Sequence, residues 1–240
     1  SGLERLKTNV KTGGISASLR RLLTGRVHSV NVWPINNRTL ISNATNLLFC
    51  TRDGGETWNH IKTLHPSSGI RGLLPNGLCY QNGRIYIGEY IFDESRAPRV
   101  FTSDDLGKSW HTEIVLNDVR HVHAVQADPY TGDIWVATGD RDTESKIGRL
   151  VDGSLDILGT GSQLWRAVEM VFTPEYLLWG TDCPYKDNHI LRVHPSKFNE
   201  SPRPDVVYTG EEPFYYSTSI DLYNRTDVLF STGVGFKPDS

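Results

Sequence analysis

Cysteine is scarce, long apolar runs are missing and there is no excess of positive charge. Each shortage removes a class of protein. The three cysteines, Cys50, Cys79 and Cys183, are too few and too scattered for a disulfide framework, and no Cys-x-x-Cys pair suggests zinc. Buried free thiols are the expectation. No apolar stretch approaches the roughly 18 residues of a membrane-spanning helix, and the first residues lack a signal-peptide pattern. No membrane partner is expected. With 25 Lys and Arg against 28 Asp and Glu the formal net charge is -3, so the basic field that non-specific nucleic-acid binding needs is lacking. Nucleic acid is therefore not an expected partner, and nothing in the sequence calls for an organic cofactor. Sequons at Asn37, Asn43, Asn199 and Asn224 favour a secreted or cell-surface setting over a cytoplasmic one.

Short strands and turns fill the chain instead. Runs such as Arg84-Ile-Tyr-Ile-Gly88 and Asp133-Ile-Trp-Val-Ala137 are rich in β-branched and aromatic residues, and Asn82-Gly83 and Thr131-Gly132 mark the turns before them. The segments that begin at Arg71, Arg120 and Arg166 recur about every 45 to 50 residues, the length of one four-stranded propeller blade. Val27-His28 begins an earlier copy and Tyr216-Ser217 a later one. The fold class predicted is all-β: a single five-bladed β-propeller with blades near 26–65, 71–117, 120–160, 165–210 and 215–240. Residues 4–23 would supply the outer strands that the last blade lacks, which would close the ring and hide its sheet edges. The rival expectation is a fragment of a six-bladed propeller.

Two segments between the third and fourth strands of their repeats resemble the Asp box of sialidase-like propellers. They are Thr51-Arg-Asp53-Gly-Gly55-Glu-Thr57-Trp58 and Ser103-Asp-Asp105-Leu-Gly107-Lys-Ser109-Trp110. The carboxylate can accept turn N–H groups, the glycine permits positive φ, and the tryptophan packs back between sheets. Membership of the sialidases themselves would imply an arginine triad, a Tyr nucleophile assisted by Glu, an Asp acid/base and an early Arg-Ile-Pro motif. Ala97-Pro98-Arg99 is no substitute for that motif and no Tyr/Glu pair stands out, so sialidase activity is not expected.

Propeller geometry brings the start of each inner strand and the end of the second strand to one mouth. Second-strand ends are Asn43, Glu89, Asp140 and Asp182; inner-strand starts bring Arg71, Arg120 and Arg166. Carboxylates beside guanidinium groups suit a carbohydrate or another acidic or polyhydroxyl ligand, because arginine binds carboxylates bidentately and close carboxyl groups separate in pKa into acid and base. Asp140, Asp182, Glu89 and His121 are the candidate catalytic residues. Arg71, Arg120, Arg166 and the adjoining Trp165 are the candidate substrate binders. Tyr215 and Tyr216 reach the same face, but a doubled tyrosine at a strand start is ordinarily packing.

Aligned inner strands also place His28, Asn76, His123 and Glu169 at one equivalent position facing the axis. These are suitable ligands for one divalent ion, zinc, manganese or calcium. His121, two residues from His123, is a second ligand or a base above the ion. The function expected is a glycan-processing enzyme, of glycoside hydrolase or polysaccharide lyase type, with non-catalytic glycan binding or scaffolding as the alternative.

Overall fold

The computed structural model describes residues 31–69, 71–194, 202–223 and 225–233. The proposed ring closure by residues 4–23 and the candidate ligand His28 lie outside these. Five antiparallel sheets follow one another along the chain. The first holds β1 (Val32–Pro34), β2 (Leu40–Ala44), β3 (Leu47–Thr51) and β4 (Asn59–Thr63); the second holds β5 (Leu78–Gln81), β6 (Arg84–Gly88), β7 (Arg99–Ser103) and β8 (His111–Val115). The third comprises β9 (His121–Ala127), β10 (Ile134–Gly139), β11 (Lys146–Val151) and β12 (Ser154–Thr160). The fourth comprises β13 (Ala167–Phe172), β14 (Leu177–Thr181), β15 (Asn188–Val193) and β16 (Asp205–Gly210), and the fifth is the pair β17 (Phe214–Leu222) and β18 (Arg225–Thr232). Within each sheet sequential strands are neighbours, as in the blades of a propeller. Among the described residues no helix is long and apolar enough to cross a membrane.

Turn chemistry sets the register. Asn82 and Gly83 both have positive φ, 50° and 83°, which matches the strand twist and pairs Gln81 with Arg84 and Tyr80 with Ile85. Two clasps close the β3–β4 and β7–β8 hairpins in the same way. In the first, Thr57 N and Oγ1 donate to Asp53, and Gly55 N donates to Thr51 Oγ1. In the second, Ser109 N and Oγ donate to Asp105, and Gly107 N donates to Ser103 Oγ. These donors, led in each turn by Thr51 or Ser109, hold both carboxyl groups well below the usual carboxylate range.

The apolar core lies between sheets. Ile41, Leu48, Leu73, Ile85 and Ile87 fill the seam of the first two blades; Val100, Val122, Val125 and Val136 fill the next; Trp135, Ile147, Trp165, Trp179 and Leu191 fill the third. Backbone bonds cross the seam between the second and third blades, from Val122 N to Glu89 O and from Val125 N to Asn76 O, and side chains add further links between blades. Gln126 Nε2 donates to Met170 O while its Oε1 accepts from Met170 N, and Trp33 Nε1 donates to Pro75 O. Asn43 belongs to this group: it is fully buried, donates to Arg71 O at 3.0 Å and accepts from Asn31 N at 2.9 Å. That position cannot carry a glycan. The thiols of Cys50 and Cys183 are free and buried, and that of Cys79 is free and half-buried.

Candidate functional site

A cavity of about 870 Å³ opens where the second to fifth blades meet. Its wall includes Arg71, Asn76, Tyr90, His123, Asp140, Arg166, Asp182 and Tyr215. Asp140, one residue beyond β10, is the hub. Arg166 Nη2 lies 3.0 Å from its Oδ1 and Arg120 Nη1 3.1 Å from its Oδ2. The same Arg166 Nη2 lies 3.2 Å from Asp182 Oδ2, and Arg166 Nη1 donates to the Asp140 backbone carbonyl. Arg166 is thus clamped between two carboxylates from neighbouring blades, in the geometry that ordinarily recognises a carboxylate.

The two carboxyl groups differ in acidity. Burial alone would raise Asp140, but the imidazoles of His121 and His123 and the Arg166 charge outweigh it and hold the group well below its usual range. Burial dominates at Asp182 and pushes it up, against the pull of Arg166. Divergent neighbours of this kind suit one group to give a proton while the other stays ionised.

Both histidines are fixed from behind. His121 Nδ1 lies 3.2 Å from Ile91 O in the second blade, and His123 Nδ1 lies 3.0 Å from Ala167 O in the fourth. Carbonyl oxygens only accept, so each Nδ1 carries a hydrogen and each Nε2 is the ring nitrogen turned toward Asp140. The two Nε2 atoms lie 3.3 and 3.4 Å from Asp140 Oδ1. His121 is fully buried, stacks on Tyr90 with ring centroids 4.1 Å apart, and its Nε2 has no hydrogen-bond partner. A β-bulge aims His123: Val122 pairs with Thr138 and Ala124 with Ala137, leaving His123 as the extra residue.

Several expectations are corrected. Glu89 does not line this cavity: its buried carboxylate turns to Arg96 Nη2 at 2.9 Å and Arg99 N at 3.1 Å. Trp165 is no substrate platform: it is buried in the seam, stacked on Trp179 at 5.2 Å and packed against Gly159. Arg120 reaches Asp140 from the outer side, beside Phe92 and Glu94, and lines a separate cleft with Arg141. The set Asn76, His123 and Glu169 does not converge. Asn76 and Ser217 bond Glu169, whose burial raises its carboxyl, while His123 turns to His121 and Asp140.

Sequence reasoning missed the tyrosines. Tyr90 and Tyr215 line the cavity together with Tyr185 and Tyr216, which are 61% and 58% exposed, and Tyr215 bonds Asp182. The only signal was the Tyr215-Tyr216 doublet, set aside as packing. Arg71 also stands in the wall, 5.9 Å from the Tyr90 ring centroid.

No family model and no curated protein sequence matches the chain. Solved structures do. An ancestral GH74 enzyme aligns with a TM-score of 0.58 at 13% identity, over 86% of this chain and 29% of that one. YCF48 bound to a D1 peptide aligns at 0.50 and 15% identity, over 88% and 62%; the extracellular domain of the putative one component system BT4673 from B. thetaiotaomicron aligns at 0.53 and 9%, over 84% and 25%. The chain therefore spans less than two thirds of each of these proteins. Such identities speak of fold alone, and the fold is that of a β-propeller.

Proposed function

We propose that the cavity is a carbohydrate site and that the chain processes a glycan, with Asp182 as proton donor, Asp140 as the ionised partner and Arg71 and Arg166 orienting the sugar. One observation carries the reading: a cavity of about 870 Å³ combines a carboxylate–guanidinium–carboxylate clamp with four tyrosines, so that hydroxyl groups find donors and acceptors while ring faces find aromatic surface. Hydrolysis or elimination of a glycosidic bond is the reaction class. The likeness to an ancestral GH74 enzyme supports it. The two clasps match the Asp box in sequence and in hydrogen bonding, which supports a place among Asp-box propellers. An extracellular neighbour and the exposed sequon at Asn37 support a secreted or cell-surface setting.

Binding without catalysis is the second reading, favoured by the exposure of Tyr185 and Tyr216. A glycan array, followed by incubation of any bound oligosaccharide and assay for new reducing ends or unsaturated uronates, tests both. Product formation abolished by Asp182→Asn supports catalysis. Retention without product supports binding, and no retention of any neutral or acidic glycan overturns the carbohydrate site.

A further inference from the structure

The geometry points to a divalent transition-metal site, of the zinc class, formed by Nε2 of His121, Nε2 of His123 and Oδ1 of Asp140. The three atoms lie within 4.8 Å of one another. With each Nδ1 hydrogen given to a backbone carbonyl, neutral rings turn two Nε2 lone pairs and an anionic oxygen toward one point. With both rings neutral, that arrangement favours a further positive charge at the point, beside the Arg166 Nη2 that already lies 3.0 Å from the same oxygen. A divalent ion supplies it, and an Nδ1–H donated to a carbonyl is the usual backing of a metal-bound histidine. Tetrahedral bonds of about 2.0–2.1 Å put neighbouring ligand atoms roughly 3.3–3.4 Å apart, and the two histidine-to-carboxylate separations are 3.3 and 3.4 Å.

A second observation is independent of the clustering. His121 Nε2 is a polar atom on a fully buried side chain with no hydrogen-bond partner, and it is aimed into this point. A buried polar atom left so is costly and rare. Nitrogen and carboxylate donors together select zinc or manganese over calcium, which prefers all-oxygen cages. Three protein ligands are the number found in catalytic rather than structural zinc sites, where the remaining position takes water or substrate. His123 and Asp140 both line the cavity, so that position faces it. Arg166 bonds the ligand oxygen Oδ1 itself and Arg120 bonds Oδ2 of the same carboxylate, as partners that orient a ligand. The site deepens the carbohydrate reading and rests on it for its role: the ion would hold and polarise an oxygen of the bound sugar beside Asp182. The ion-binding claim itself rests on the three ligand atoms.

The test is calorimetric titration of Zn²⁺ into the full chain after removal of bound metal by a chelator, with Co²⁺ absorption as a second readout. Uptake of one equivalent and visible bands of a four- or five-coordinate nitrogen–oxygen site are expected. His121→Phe keeps a ring on Tyr90, and with His123→Ala it should weaken uptake by at least about a hundredfold. Glu169→Gln should leave uptake unchanged. Folded wild-type chain that takes up neither Zn²⁺, Mn²⁺ nor Co²⁺ overturns the site and assigns the extra charge to protons on the two rings. Uptake that survives both histidine substitutions overturns it also. Metal uptake without glycan retention would overturn only the carbohydrate reading; glycan retention by a chain that takes up no metal would overturn only the metal.

Discussion

A Cβ placed on Gly139 would lie 2.4 Å from Cε1 of His123. The imidazole occupies the space that any other residue at 139 would need, and Gly139 carries no positive φ to make glycine necessary on other grounds. Gly139→Ala should therefore push His123 off the Ala167 carbonyl while the β10 ladder survives. The expected outcome is a loss of Zn²⁺ affinity of at least about tenfold with a stability loss of about 1–3 kcal/mol, the usual cost of overpacking. An alanine variant that matches wild type in both titration and thermal melt would show that the ring has room to move.

Asp140 and Asp182 should part company on mutation. Asp140→Asn removes the charge that holds Arg120 and Arg166, so a stability loss of about 1–3 kcal/mol is expected beside lost function. Asp182 keeps one arginine and Tyr215, and burial disfavours its ionised form. Asp182→Asn should abolish glycan turnover and change stability by less than about 1 kcal/mol. Urea melts of both variants decide the matter, and equal losses would refute the assignment of Asp140 as hub.

Trp165 is a seam residue. Trp165→Ala should cost about 3–5 kcal/mol, because the ring packs on Trp179 and against Gly159, yet glycan retention per folded molecule should not change. A weakened glycan affinity at full stability would return Trp165 to the mouth.

The clasps set an acid limit. The Asp53 and Asp105 carboxyl groups are held below their ordinary 3.8, so their contribution is complete above that value and is lost as pH falls through it toward their lowered folded values. The melting temperature of wild type should drop between about pH 4 and pH 2, and the drop should be smaller in the double variant Asp53→Asn, Asp105→Asn. Parallel pH profiles for the two proteins would refute this.

How much of this was legible in the sequence depended on how local the physics was. The clasps were readable because Thr51, Asp53, Gly55 and Thr57 complete their bonds within one turn. The Asp140, Arg166 and Asp182 clamp was readable because repeat spacing places strand ends on one face. Of the ligand set counted along inner strands, His123 and the neighbouring His121 meet at one point but Asn76 and Glu169 do not join them, because β9 bulges at His123 and β13 carries Val168 and Glu169 against Gly180 alone. Alternation breaks at both points. Trp165 was misread because adjacency to Arg166 says nothing of direction, and the 3₁₀ turn Gln163–Trp165 sends the two side chains opposite ways.

The two imidazoles of the third blade are tethered to carbonyls of its neighbours on either side, Ile91 and Ala167. The strand ladders are complete within each sheet, so the hairpins of the third blade can form while these tethers are still unmade. The site is consequently a property of the assembled seams and would ripen after the sheets have formed. During refolding a spectroscopic marker placed on the histidines would lag behind the backbone signal, and a small sliding of either neighbour would detune the site before any strand melted.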